Sequence, residues 1–268
     1  MYNNVGIAII TCNRVDLFKQ CIMSIPKPDK MIIINDGDEI SDSIIPTHTD
    51  EFIQHKKNKG VGKSKNEGIK YLLQNGCNHI FLCEDDVMVI NPNVYDRYIE
   101  VAFKTGIFHL NFAYHGNGNK DINGKPIARK IIFDESNTDL LSLNKNLLGA
   151  FSYYHKSVIE KVGLIDERYF NAWEHVDHTF QIIKAKMHPP FWWFADIANS
   201  TDYIKDLDID HSKSIIRKKG FLWKLNMLRN TKRFKDKNAL APHHIPDTAE
   251  NIVDEELINI KNRFASFR

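Results

Sequence analysis

Short apolar runs alternate with helical patterns over the first hundred residues. Val5-Gly-Ile-Ala-Ile-Ile-Thr11 is a continuous apolar, largely β-branched run, as expected of a strand buried on both faces. Val15, Phe18, Ile22 and Ile25 then recur at helical spacing, and Pro26 ends that pattern. Met31–Ile34 reads as a second buried strand closed by the turn signal Asn35-Asp36-Gly37, and Glu51–His55 as a weaker third. Gly62–Gln74 predicts a helix, Asn75-Gly76 a stop, and His79–Cys83 a fourth strand. This succession predicts an α/β fold with a mainly parallel sheet and helices on both faces. Ligands of such sheets bind beyond the carboxyl ends of the strands. Thr11–Arg14, Asp36–Asp38, His55–Lys63 and Glu84–Asp86 are therefore expected to converge on one crevice.

Beyond Asn91-Pro92 the pattern predicts a helix to about Lys104, a strand-like Ile107–Tyr114, and loops over His115–Asn137 around a short strand at Ile127–Phe133. Leu147–Tyr154 reads as a strand, Lys156–Val162 and Glu174–Ala185 as helices, and Asp254–Phe264 as a terminal helix. Lys213–Lys237 carries ten Lys or Arg against one acid, Asp236, with Phe221, Leu222, Leu225 and Leu228 interleaved at helical spacing. Such a stripe packs on a neighbouring domain, or docks on anionic lipid headgroups or an anionic glycan.

Composition narrows these choices. With 268 residues, 43% hydrophobic and 26% charged, the chain falls in the globular class, and a formal net charge of +2 makes any basic character local. Cys12, Cys21, Cys77 and Cys83 form no CxxC pair, so reduced, mostly buried thiols are expected. The start lacks a basic segment followed by an apolar one, and no apolar run nears the ~20 residues of a membrane span. A cytoplasmic protein is the expectation, peripheral at the inner face of a membrane if the basic segment docks there.

Glu84-Asp85-Asp86 closes the fourth strand. Three adjacent carboxylates at a buried strand end are costly unless solvated or neutralised. A hard divalent cation would neutralise them, and one with open positions also grips phosphates.

These residues carry a resemblance. The chain resembles GT-A glycosyltransferases of the family 2 type, which are inverting and use nucleotide sugars. The resemblance rests on Ile9-Ile-Thr-Cys-Asn-Arg14, Ile34-Asn-Asp-Gly37, Asn58-Lys-Gly-Val-Gly-Lys-Ser-Lys-Asn66 and Phe81-Leu-Cys-Glu-Asp-Asp86, the last in the place of the DxD motif. Gly149-Ala-Phe, Val162-Gly-Leu-Ile-Asp-Glu167 and Phe170-Asn-Ala-Trp-Glu-His-Val-Asp177 are similar to the acceptor-side segment. It implies a GT-A, Rossmann-like domain over residues 1–212, with a nucleotide-binding half to about 90 and an acceptor-binding half from about 91. Residues 213–268 would be a basic, mostly helical extension.

The resemblance assigns Thr11, Asn13, Arg14 and Asp36 to the nucleoside pocket, and Gly60, Lys63 and Asn66 to the nucleotide and sugar side. Glu84 takes the first DxD position, with Asp85 beside it. It implies Asp86 as a ligand of Mn2+ or Mg2+, and His211 in Asp208-Ile-Asp-His-Ser212 as a second, with His243-His244 an alternative. The implied donor is a nucleotide sugar, a UDP-sugar first, and the acceptor a glycan or a lipid-linked glycan, in polysaccharide or surface-glycan synthesis.

An inverting transfer needs a general base for the acceptor hydroxyl. In the resembled family that base is usually the Asp of a Glu-Asp pair; here the chain reads Trp173-Glu174-His175-Val176-Asp177, with His175 in that place. Glu174, His175 and Asp177 are all candidates, Glu174 ahead of Asp177, and an imidazole titrates in the right range. A non-catalytic module binding a nucleotide sugar or a polyanion is the rival reading. No nucleic-acid partner is expected, and Phe264 and Phe267 are the candidate homodimer contact.

Overall fold

A computed structural model describes residues 2–209 and 220–264. All seven residues of β1 (Val5–Thr11) are buried, and the strand pairs in parallel with β2 (Lys30–Asn35) on one side and β4 (His79–Glu84) on the other. β3 (Glu51–Gln54) extends the parallel set beside β2. β9 (Phe151–His155) and β6 (His109–Asn111) complete a six-stranded sheet in the order β3-β2-β1-β4-β9-β6, with β9 antiparallel to both neighbours. The chain steps outward from β1 to β2 and back across from β3 to β4. Right-handed crossovers therefore put α1 (Val15–Ser24) and α2 (Val61–Gln74) on opposite faces. α2 lies unusually close to β1: a Cβ at Gly68 would collide with that of Ala8, and one at Gly6 would sit 2.6 Å from Leu72 Cδ2.

The later elements depart more from the sequence pattern. The Ile107–Tyr114 run is a strand only over β6, and the predicted Leu147–Tyr154 strand begins four residues later, at β9. The short strand expected at Ile127–Phe133 is β7 (Lys130–Phe133), which pairs with β8 (Asp139–Asn144), itself paired with β10 (Phe194–Ile197). Sequence periodicity missed β8 and β10 because Ser142, Asn144 and Asp196 interrupt them. These polar groups are nevertheless buried and bonded; Asp196 accepts from the Tyr98 hydroxyl and the Ala113 amide, both at 2.9 Å. β5 (Val87–Val89) pairs with β11 (Ile204–Asp206), a further strand that periodicity missed, and this ladder brings residues 206–208 beside the end of β4.

α3 (Val94–Thr105), α4 (Lys156–Val162) and α5 (Glu174–Lys184) follow the predicted pattern. α6 (Phe221–Asn238) and α7 (Glu250–Arg263) fold onto the body: Phe234 joins Tyr169, Val176 and Phe191 in one cluster, and Val253 and Ile260 join the main core. Trp192 and Trp193 donate their indole N–H groups to Ile245 and Thr248 carbonyls at 2.7 and 2.9 Å, tying down the chain between the two helices. Phe264 packs inside the chain on Phe108, with ring centroids 5.9 Å apart, while Phe267 lies outside the described residues. Among the described residues no helix is long and apolar enough to cross a membrane.

Among the described residues seven histidines are buried, and burial lowers the pKa of five of them. Burial holds His79, His155 and His188 down at about 4 and keeps His109 and His178 below the ordinary 6.5. Below pH 6.5 the unfolded chain binds protons these sites refuse. Their stabilisation is thus complete above pH 6.5 and lost as pH falls toward 4. Asp85 and Asp196, raised by burial to about 7, and His115, raised by Asp206 and Asp86 against burial, act in the opposite sense, but these three groups only partly offset the five. We expect the thermal midpoint at about pH 5 to lie roughly 10 °C below that at about pH 7.5 in scanning calorimetry.

Candidate active site

A cleft of about 1120 Å³ opens at the carboxyl ends of β1, β2, β3 and β4. Thr11, Asn13 and Arg14, then Asp36–Glu39, His55–Asn58, and Glu84 with Asp86 line one side, so the four segments expected to converge do so. Leu147–Ala150 and Asn171–Val176 line the other side, and Trp223 and Met227 of α6 complete the wall.

The three acids at the end of β4 have different surroundings. Glu84 Oε1 accepts from Lys65 Nζ at 2.6 Å. Asp85 is fully buried; it accepts from the Thr11 hydroxyl at 2.6 Å and is paired with Arg14. Burial pushes its carboxyl up to about 7, against the pull of Arg14 and with the push of Asp86. Asp86 Oδ2 accepts from Arg14 at 2.7 Å, whereas its buried Oδ1 accepts no hydrogen bond among the described residues. Burial raises the Asp86 carboxyl, but His115 and Arg14 outweigh it and hold the group below the ordinary range. His115 lies 3.8 Å from Asp86 through Nε2 and 3.2 Å from Asp206 through Nδ1. The Leu207 amide donates to the Asp86 carbonyl at 2.8 Å. All three acids thus lie against the protein's own cations, Lys65 at Glu84 and Arg14 at both Asp85 and Asp86, and what is left for a metal is Asp86 Oδ1.

Opposite, Trp173 takes a left-handed backbone at φ 68°, which costs a non-glycine residue on the order of 1–3 kcal/mol and turns the chain into α5 at Glu174. Glu174 Oε1 is 3.0 Å from His175 Nδ1 and 3.9 Å from Lys65 Nζ. Burial raises the Glu174 carboxyl, yet His175 and Lys65 outweigh it and bring it to about 2. Lys65, 1% exposed, donates to Glu84 and to the Gly149 carbonyl at 3.0 Å, so it joins the acidic strand end to the helix opposite. The His175 side chain is 25% exposed and faces the cleft.

Several predicted residues stand elsewhere. Lys63 points away, toward Glu67 and Glu167 at 3.9 and 3.4 Å, because positions 63 and 65 lie on opposite sides of a helix. Asn66 is buried, its amide donating to the Ile165 carbonyl at 2.8 Å, and Gly60 gives its N–H to Asp36; neither lines the cleft. Asp36 is at the cleft wall but 2% exposed. Its carboxylate accepts from the Lys59 and Gly60 amides at 2.7 and 2.8 Å and pairs with His55 at 2.6 Å, fastening the loop rather than waiting for a base or ribose. Asp177 is buried and points away from the cleft, to Lys237 at 2.6 Å and the Tyr169 hydroxyl at 3.2 Å. His211 lies outside the described residues. Lys65 and His115 were not singled out from sequence; Lys65 sits inside the Asn58–Asn66 segment, but His115 carries no local signal.

Among the described residues no group of three or more His, Cys, Asp or Glu is assembled to hold a metal. The open, buried Asp86 Oδ1 nonetheless suits a Mg2+ or Mn2+ ion, which takes one or two carboxylates and completes its shell with water and substrate phosphates.

Comparison with known proteins agrees with this architecture. No family model matches the sequence. The chain is 26% identical over 237 residues, 80% of its length and 86% of the relative's, to an uncharacterized glycosyltransferase of Acanthamoeba polyphaga mimivirus. Its structure is similar to the mannosyltransferase PcManGT of Pyrobaculum calidifontis, solved with GDP-Man and Mn2+. The TM-score is 0.54 at 10% identity, covering 98% of this chain and 70% of that one. It is also similar to GalNAc-T7, solved with UDP, GalNAc and Mn2+, at a TM-score of 0.55 and 10% identity, covering 98% of this chain and 56% of that one. The chain has a GT-A glycosyltransferase fold. In this GT-A chain the cleft occupies the strand ends where such sheets bind ligands.

Proposed function

We propose that the chain is a glycosyltransferase moving a sugar from a nucleotide diphosphate, a UDP-sugar first, to a hydroxyl of a glycan or lipid-linked glycan, with inversion. The observation that carries this reading is one cleft with Arg14, Glu84 and Asp86 on one wall and the Glu174–His175 pair on the other. The relative described as a glycosyltransferase and the neighbours solved with nucleotides, sugars and Mn2+ support it.

Asp86, with His211 as the second candidate, would hold the divalent ion. When bound, that ion supplies positive charge against the donor's diphosphate. His115 and Arg14 keep Asp86 ionised, and the Arg14 hydrogen bond holds it in place. His175 is the better base: its side chain is 25% exposed and faces the cleft, whereas Glu174 is buried with its carboxylate taken up by His175 Nδ1. Glu174 holds Nδ1, which leaves Nε2 to take the acceptor proton. Lys65 keeps Glu174 anionic.

A panel of nucleotide sugars, titrated by thermal shift with and without Mn2+, tests the reading. One donor at about 100 times its Kd should raise the midpoint by roughly 5 °C, only with the metal, and chelation should abolish the shift. The same donor should release its nucleoside diphosphate, and NMR of the product should show the inverted anomer. A shift without turnover would instead identify a binding module, and no shift with any donor would remove the assignment.

A further inference from the structure

α6 carries two apolar faces. Trp223, Met227, Asn230 and Phe234 point to the cleft and the core, with Asn230 donating to the Phe170 and Ala172 carbonyls at 3.2 and 3.0 Å. The other face is bare: Phe221 is 72% exposed, Leu222 59%, Leu225 41% and Leu228 69%. At 100° per residue Phe221, Leu225 and Leu228 form one stripe, continued by Lys232 and flanked by Lys224 and Lys235 on one side and Arg229 on the other. The helix holds six cations against Asp236, which is already paired with Lys232 at 2.8 Å. Beside the stripe's end is a groove of about 510 Å³ lined by Arg168, Arg229, Lys232, Arg233, Asp236 and Lys237.

We infer that this face docks on an anionic lipid bilayer. A convex stripe of one phenylalanine and two leucines, with Leu222 exposed beyond Arg229, fits between acyl chains, and the ring of cations beside it fits phosphate headgroups. A soluble polyanion would use the cations alone and has no call on the exposed leucines. The opposite face of the same helix lines the cleft through Trp223 and Met227, so docking would hold the cleft close to the bilayer, where a lipid-linked acceptor is presented. That last link rests on the proposed transfer, whereas bilayer binding itself is measured without turnover and stands or falls separately.

The test is co-sedimentation of the full chain with vesicles of phosphatidylcholine alone, and of phosphatidylcholine mixed two to one with phosphatidylglycerol. We expect at least tenfold tighter binding to the anionic vesicles, weakened by salt, and roughly fivefold loss for each cation removed in Arg229→Gln and Lys232→Gln. Phe221→Ser with Leu228→Ser should weaken binding by at least about tenfold. Unchanged thermal midpoints would show that these surface variants are folded. Absence of sedimentation overturns the inference. So does binding indifferent to the Phe221/Leu228 change, or heparin binding as tight as vesicle binding, either of which would mark a soluble polyanion as the partner.

Discussion

Asp86→Asn is expected to lower transfer by roughly a thousandfold or more at saturating donor and Mn2+, with the fold intact. Asp85 Oδ1 and Asp86 Oδ1 both accept no hydrogen bond among the described residues, but Asp85 Oδ1 is ion-paired with Arg14, whereas Arg14 meets Asp86 only at Oδ2 and leaves its Oδ1 open. Asparagine keeps the shape but removes the charge a divalent ion needs, so the metal-dependent thermal shift with donor should vanish together with turnover. Asp85→Asn is the control. Its carboxylate is taken up by Thr11 and Arg14, and burial already opposes its charge. It should act on turnover only by loosening Arg14, a loss of roughly tenfold. Comparing kcat with the metal-dependent shift for both variants checks this. Equal losses would show that the triplet acts as one electrostatic unit, with no special role for Asp86.

The second large effect concerns the base. His175→Gln is expected to lower kcat by about 10²- to 10⁴-fold while donor binding, read by thermal shift, stays near that of the parent. Glu174→Gln should also lose activity, roughly tenfold to a hundredfold, since it removes the negative charge beside Nδ1 and leaves Lys65 with Glu84 as its remaining carboxylate partner at 2.6 Å. Asp177→Asn should leave kcat within about threefold but lower the thermal midpoint, because Lys237 and the Tyr169 hydroxyl lose their buried carboxylate, at about 1–3 kcal/mol. Rates and melting curves of the three variants separate a base from its orienting partner and from a structural ion pair. If Asp177→Asn were the inactive variant with an unchanged midpoint, the assignment of the base would be wrong.

Periodicity and strand-end logic were enough to mark Thr11–Arg14, Asp36–Asp38 and Glu84–Asp86 as neighbours. β1, β2 and β4 are short apolar runs whose burial is written in local sequence, and a parallel sheet has its loops at a known end. The later strands were less legible, since β8 and β10 bury Ser142, Asn144 and Asp196 through hydrogen bonds made only after folding.

The amino-acid order alone determined the parallel half of the sheet, the acidic strand end and the Glu174-His175 segment opposite it. Which side chain answers which was decided by tertiary structure. Lys65 and Lys63 look interchangeable in Gly-Lys-Ser-Lys-Asn, yet α2 pressed against β1 through Gly68 aims one at Glu84 and the other at Glu167. The same holds for the acids, where Lys65 takes Glu84 and Arg14 takes Asp85 and one oxygen of Asp86, leaving the other oxygen of Asp86 open. Such pairings join residues far apart in the chain, and their energies depend on distance and burial, which no local pattern of residues encodes.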